Sequence, residues 1–137
     1  MPVNNQFSIA VHLMTGLGYG ASEATSASLA KSVNTSPSFV RRILAKLSKA
    51  ELVCTRMGKT GSTSLARDPK DISLLDIYRA VDAPKALAIH EYPVQASCPV
   101  SCGIKSTMDK VFDRSQQALE ESLAATSLAE VIDGLPK

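Results

Sequence analysis

The chain has 137 residues, 45% apolar and 20% charged, which is ordinary for a soluble globular protein and enough for one domain or a small domain plus an oligomerisation element. No apolar run approaches a membrane span, and the opening MPVNNQF lacks the basic start and apolar run of a signal peptide. Three cysteines, an odd number, argue against a secreted disulfide framework, so a cytoplasmic location is expected.

Three tyrosines, three phenylalanines and no tryptophan leave the core to Leu, Ile, Val, Ala and Met, a composition that suits helices better than packed sheets. The net charge of +2 conceals an asymmetry. Residues 1–70 carry nine Lys or Arg against three Asp or Glu, and residues 71–137 carry six against ten, so +6 stands against −4. That split points to a polyanion-binding end and a separate partner-facing end.

Asn4 or Asn5 caps a first helix in which Phe7, Ala10, Val11 and Met14 recur at helical spacing. The run GLGYG, Gly16 to Gly20, reads as its stop and not as a dinucleotide fingerprint, since no strand precedes it. A short second helix follows in TSASLAKSVN, capped by Thr25 or Ser26, with Leu29, Ala30 and Val33 facing inward. Asn34 tolerates the left-handed conformation that closes such a helix.

A third helix begins at Ser36, a good N-cap, followed by Pro37 at the first helical position. Val40, Ile43, Leu44 and Leu47 form its buried stripe, while the opposite arc carries Ser38, Arg41, Arg42, Lys46 and Lys49 with no acid. An all-cationic helix face pays in self-repulsion unless an anionic partner covers it. Two short helices joined by a tight turn, the second basic, make a helix-turn-helix. Leu52–Arg56 and Thr63–Arg67 then read as a β-hairpin around MGKTGS, a wing whose Arg56 and Lys59 reach phosphates or a minor groove.

A fourth helix is capped by Ser73 with Asp76 at N3 and ends by Pro84. Residues 85–103 show no period and contain Pro93, Pro99 and Gly103, so a loop is expected there. From about Ile104 to Ala125, Ile104, Met108, Val111, Phe112, Leu119 and Leu123 make a stripe that one small domain cannot bury, which suggests a helix packing on its symmetry mate. SLAEVIDG restarts a short helix through Ser127 and Glu130. The organisation expected is residues 1–84 as a DNA-binding domain, 85–103 as a loop, and 104–137 as the dimerisation helix with a C-terminal helix. The fold class is mainly α with a small β-hairpin wing.

The stretches LAKSVNTSPSFVRRILAKLSKAELV, GKTGSTSLAR and DPKDISLLDIYRAVD together resemble the Rrf family of bacterial winged helix-turn-helix transcription regulators, over about Phe7 to Ile132. The resemblance implies a homodimer, here through residues 104–126, that binds a roughly palindromic operator on double-stranded DNA, with repression the commoner outcome. The wing departs from the family pattern, with Met57 before Gly58 where an Arg-Gly pair is frequent, and with Ser62 interrupting the glycine run.

Within that frame Ser38, Arg41 and Arg42 are the candidate base readers, because an arginine binds guanine through two hydrogen bonds. Ser36, Lys46, Lys59 and Thr60 are candidates for holding phosphates.

Cys98 and Cys102 fall where cluster-binding members of the family carry three cysteines and a further ligand. Three readings stand: a thiol switch, an iron–sulfur or metal site that would have to recruit His90, or incidental cysteines. No cofactor is the leading expectation, since the gap is short and the third cysteine, Cys54, is far along the chain. Cys102 falls just before the long helix, whose N-terminal partial charge favours an anionic sulfur, and Cys98 is near enough to resolve a sulfenic acid. Cys54 reads as a small buried apolar residue, and His12 as an ordinary packed or surface histidine.

A dimeric protein-interaction module of the same fold is the competing function. An enzyme is the poorest fit, since G-x-S-x-G, HExxH and P-loop motifs are all lacking.

Overall fold

A computed structural model describes residues 5–19, 24–56 and 62–136 of the chain. Lys59 and Thr60 lie outside the described residues. The order of elements is α1 (Gln6–Gly18), α2 (Ser26–Val33), α3 (Pro37–Lys49), β1 (Val53–Thr55), β2 (Thr63–Leu65), α4 (Leu74–Ala80), α5 (Pro99–Ala124) and α6 (Leu128–Asp133). Two compact units result, one from the residues up to Ala83 together with those from Leu123 onward, the other from Pro84 to Ser122.

Local chemistry sets the helix ends in the first unit. Asn5 precedes α1 but makes no side-chain cap. The Thr25 hydroxyl accepts the Ser28 amide, and the Ser28 hydroxyl accepts the Thr25 amide, a reciprocal box that starts α2. Asn34 closes that helix at φ 63° and ψ 50°, its N–H donating to Ala30 O. Ser36 then caps α3 by accepting the Phe39 amide at 3.2 Å, with Pro37 at N1. Ser73 and Asp76 make a second reciprocal box at α4.

The core of this unit is aliphatic, as the composition requires. Leu13 and Met14 of α1, Val40, Ile43 and Leu47 of α3, and Leu52, Ile72, Ile77 and Val81 are fully or nearly fully buried together. Leu128 of α6 joins them at 0% exposure, and its amide donates to Ile72 O at 2.8 Å. The C-terminal helix is therefore built into the winged-helix unit.

Helix α1 ends inside the GLGYG run, as the sequence suggests, with Gly18 its last residue, and the packing gives Gly18 a second role. A Cβ on Gly18 would stand 2.5 Å from Ile132 Cδ1 and 3.3 Å from Leu65 Cδ1, so the missing side chain is what lets α6 and the hairpin approach α1.

The hairpin is antiparallel, pairing Val53 with Leu65, Cys54 with Ser64 and Thr55 with Thr63. Ala24 adds an isolated bridge on the far side of Thr63 through two backbone bonds of 2.9 and 2.8 Å. Strand alternation places Val53 inward and Cys54 outward, so Cys54 is exposed and is not the buried residue expected from its chemistry.

In the second unit the long helix begins at Pro99, five residues before the expected Ile104. Pro99 sits at N1, where its missing N–H is one the helix could not have used and its φ is already helical, so the proline counted as a loop residue is a helix start. None of the 26 residues of α5 is buried. Ile104, Met108, Val111, Phe112 and Leu119 are half-buried, and Val100 is 68% exposed.

Candidate functional site

The cationic arc of α3 survives folding. Ser38, Arg41, Arg42 and Lys49 are exposed, and Lys46 is half-buried. The Ser36 hydroxyl is committed to the Phe39 amide and lies 3.3 Å from the Ser38 hydroxyl, so the first turn of α3 presents two hydroxyls side by side. Arg42 is laid over the Phe39 ring, its guanidinium carbon 5.2 Å from the ring centroid, which restricts a flexible side chain by a cation–π contact.

Arg41 and Lys49 line a hollow of about 640 Å³ with Ser26 of α2 and Thr55 and Thr63 of the hairpin. The helix-turn-helix and the wing thus share one basic concavity. Arg56, just past β1, is exposed, and its amide donates to Ser62 O at 2.8 Å, which extends the hairpin pairing one step beyond Thr55 and Thr63. Lys59 and Thr60 are the two candidate contacts on which the described residues are silent.

Sequence reasoning missed Gln6 and Phe39. The three-residue spacing of Phe39 and Arg42 on one helix was a usable signal for the stacked pair. Gln6 had none, since its partner Lys46 is 40 residues away, with Nζ donating to Gln6 Oε1 at 2.9 Å.

In the second unit the two thiols occupy the first turn of α5. Cys98 is the residue before Pro99, and its sulfur accepts the Ser101 amide at 3.4 Å, in the manner of an N-cap. Its carbonyl accepts the Cys102 amide at 3.1 Å, so Cys102 lies within the helix and not just ahead of it. The Cys102 thiol is directed at Gln95 O (3.6 Å) and Ala96 O (3.7 Å). Ser101 straps the preceding loop to this turn, its hydroxyl accepting the Gln95 amide at 2.9 Å and its carbonyl accepting the Tyr92 hydroxyl at 2.6 Å.

This geometry bears on both chemical readings of the pair. A disulfide needs the two Cβ atoms roughly 3.5–4.5 Å apart. Joining Cys98 to Cys102 within one chain would take the Cys98 sulfur from the Ser101 amide and the Cys102 thiol from the Gln95 and Ala96 carbonyls. For a metal, His90 is stacked on Tyr92 with ring centroids 4.8 Å apart, and no group of three or more His, Cys, Asp or Glu among the described residues is placed to hold an ion. The donor set does not fit a four-ligand site. His12 is exposed and pairs with the Ser32 hydroxyl at 3.0 Å.

A tight left-handed turn between two helices, a cationic second helix and a following hairpin define a winged helix-turn-helix protein, the class of DNA-binding transcription regulators. The Rrf2 family model, described as an iron-dependent transcriptional regulator, matches residues 3–134, and the chain belongs to that family.

A Bacillus subtilis (strain 168) protein provisionally named as the HTH-type transcriptional regulator YwnA is 39% identical over 134 residues, spanning 97% of this chain and 98% of its own length. A crystal structure provisionally described as a DNA-binding protein has a TM-score of 0.73 at 36% identity, covering 93% of this chain and 98% of the other. The oxidized form of Staphylococcus aureus CymR also reaches a TM-score of 0.73 over the whole of both chains, and at 20% identity it shows the shared fold alone. These family relatives are described as regulators and not as enzymes. Among the described residues no helix is long and apolar enough to cross a membrane.

Proposed function

We propose that the chain is a cytoplasmic, homodimeric transcription repressor that reads a palindromic operator with paired copies of α3. The observation that carries this reading is the exposed arc of α3, which holds Ser38, Arg41, Arg42 and Lys49 on a helix capped by Ser36, with no acid among them. In this reading Ser38, Arg41 and Arg42 face base edges, while Ser36, Lys46, Arg56, Lys59 and Thr60 hold the backbone.

The dimer contact is assigned to the stripe of α5 from Ile104 to Leu119, which its own chain leaves half-exposed along the whole helix. Two-fold symmetry then sets half-sites about one helical turn or more apart.

The test is a gel-shift series on duplexes enriched by in vitro selection, with random duplex as the reference. Arg42→Ala is expected to weaken binding to the selected sequence by about tenfold or more beyond its effect on random DNA, since one bidentate guanine contact discriminates by roughly 1–3 kcal/mol. Lys59→Ala is expected to weaken both alike. Equal losses on both duplexes with Arg42→Ala would remove it from the base readers. Binding with no salt dependence would favour the protein-interaction module instead.

The signal assigned to Cys98 and Cys102 is oxidation. A hydroperoxide converts one thiolate to sulfenic acid, and the second thiol displaces water from it to form a disulfide. Closure within one chain breaks the contacts of both sulfurs with Ser101, Gln95 and Ala96, which links the chemistry to a change at the start of α5. Neither iron nor any other cofactor enters this reading. Peroxide treatment is expected to remove two thiols and to lower DNA affinity, and both effects should vanish in Cys98→Ala. Unchanged DNA binding after the loss of both thiols would separate these cysteines from regulation.

A further inference from the structure

We propose that Gln6, the first residue of α1, is a positioning residue of the DNA-binding surface that sets the Lys46 ammonium for a backbone phosphate. The inference rests on the reading of α3 as the recognition helix and extends the interface to an element outside the helix-turn-helix and wing.

Lys46 differs from the other cations of α3. Arg41, Arg42 and Lys49 are exposed, whereas Lys46 is half-buried and bonded through Nζ to Gln6 Oε1 at 2.9 Å in a partly buried contact. The next residue, Phe7, stands edge-on to Tyr78 of α4 with ring centroids 5.3 Å apart, which anchors the first turn of α1 and with it the Gln6 backbone. Gln6 and Lys46 line one hollow of about 140 Å³ with Phe39, Arg42 and Ile43. Phe39 and Ile43 give it apolar lining, and Arg42 and Lys46 bring two cations to it.

The choice of an amide matters chemically. A carboxylate at this position would pair with Lys46 and cancel its charge, and would compete with an incoming phosphate. An amide oxygen accepts one of the three ammonium N–H donors and leaves the charge intact. Two donors remain for a phosphate, on a side chain whose rotamers are already restricted. Part of the ordering cost of a long lysine is thus met before DNA arrives.

The experiment is fluorescence anisotropy of a random-sequence DNA duplex titrated with the full chain across a salt series. Random duplex suffices because phosphate contacts are independent of sequence. Gln6→Ala is expected to lower affinity about threefold to tenfold at fixed salt, the ordering cost of one long side chain, with the salt slope unchanged. Gln6→Glu is expected to flatten the slope by about one phosphate contact. In a Lys46→Ala background neither change should have any further effect, since a coupling through Lys46 disappears with it.

Parental affinity in Gln6→Ala overturns the proposal. So does an unchanged loss in the Lys46→Ala background, which would mean that Gln6 acts through the stability of α1. If Lys46→Ala itself binds like the parent while Arg42→Ala does not, the recognition helix stands and the Gln6 proposal falls. A parental salt slope near zero would sink both together.

Discussion

Replacing Leu128 by Ala removes a side chain with 0% exposure from the core of the winged-helix unit. Its neighbours come from distant parts of the chain. Leu128 N is fixed to Ile72 O, Leu74 N to Thr126 O, and Ser73 bridges Ser127, so the backbone around the site has little freedom to collapse into the vacancy. A Leu→Ala change that leaves such a cavity costs about 2–5 kcal/mol, against a total stability of about 5–15 kcal/mol for a domain. For a chain of this size that corresponds to a fall in Tm of roughly 8–20 °C.

The assay is thermal unfolding followed by circular dichroism at two protein concentrations, with urea unfolding as a second measure. The expected result is a large loss of the same size at both concentrations, because the cavity lies inside one unit of one chain. A loss below about 1 kcal/mol would refute the placement of α6 in this core, since fully buried leucines do not give so small a value.

Three further outcomes follow from other elements. Met108→Asp places a charge on the half-exposed stripe of α5, and sedimentation should show a shift from dimer to monomer with little change in helix content. Ser36→Ala loses the hydroxyl that accepts the Phe39 amide and should cost about 1 kcal/mol in urea unfolding. Ser36→Asp should recover that stability while weakening binding to duplex DNA, because it sets a negative charge on the face proposed to meet phosphates. Native-state reaction with a thiol reagent should label the exposed Cys54 and Cys102 faster than the half-buried Cys98. Slow labelling of Cys54 would contradict the strand register that turns it outward.

Local signals in the sequence determined most of the first unit. Thr25, Ser36, Ser73 and Ser127 each precede a helix and accept an amide three residues on, and Asn34 takes the left-handed turn assigned to it. These contacts span one turn, so their chemistry is written in adjacent residues. The buried stripe of α3 and the all-cationic arc opposite it follow from a period of 3.6 residues in the same way, and the family resemblance was carried by those same stretches.

Tertiary structure alone decided the rest. The GLGYG run marks the end of α1, but only the position of Ile132, more than a hundred residues away, shows that Gly18 also allows a close approach of α6. Pro99 looked like a loop residue because proline is equally at home in a loop and at N1, and the choice depends on whether a helix follows it directly. Cys54 looked buried because residue type fixes only a tendency, whereas the pairing of Cys54 with Ser64 fixes the face. The bond from Lys46 to Gln6 joins two half-buried polar residues 40 positions apart. No spacing rule reaches that far, and only the packing of α1 against α3 makes them neighbours.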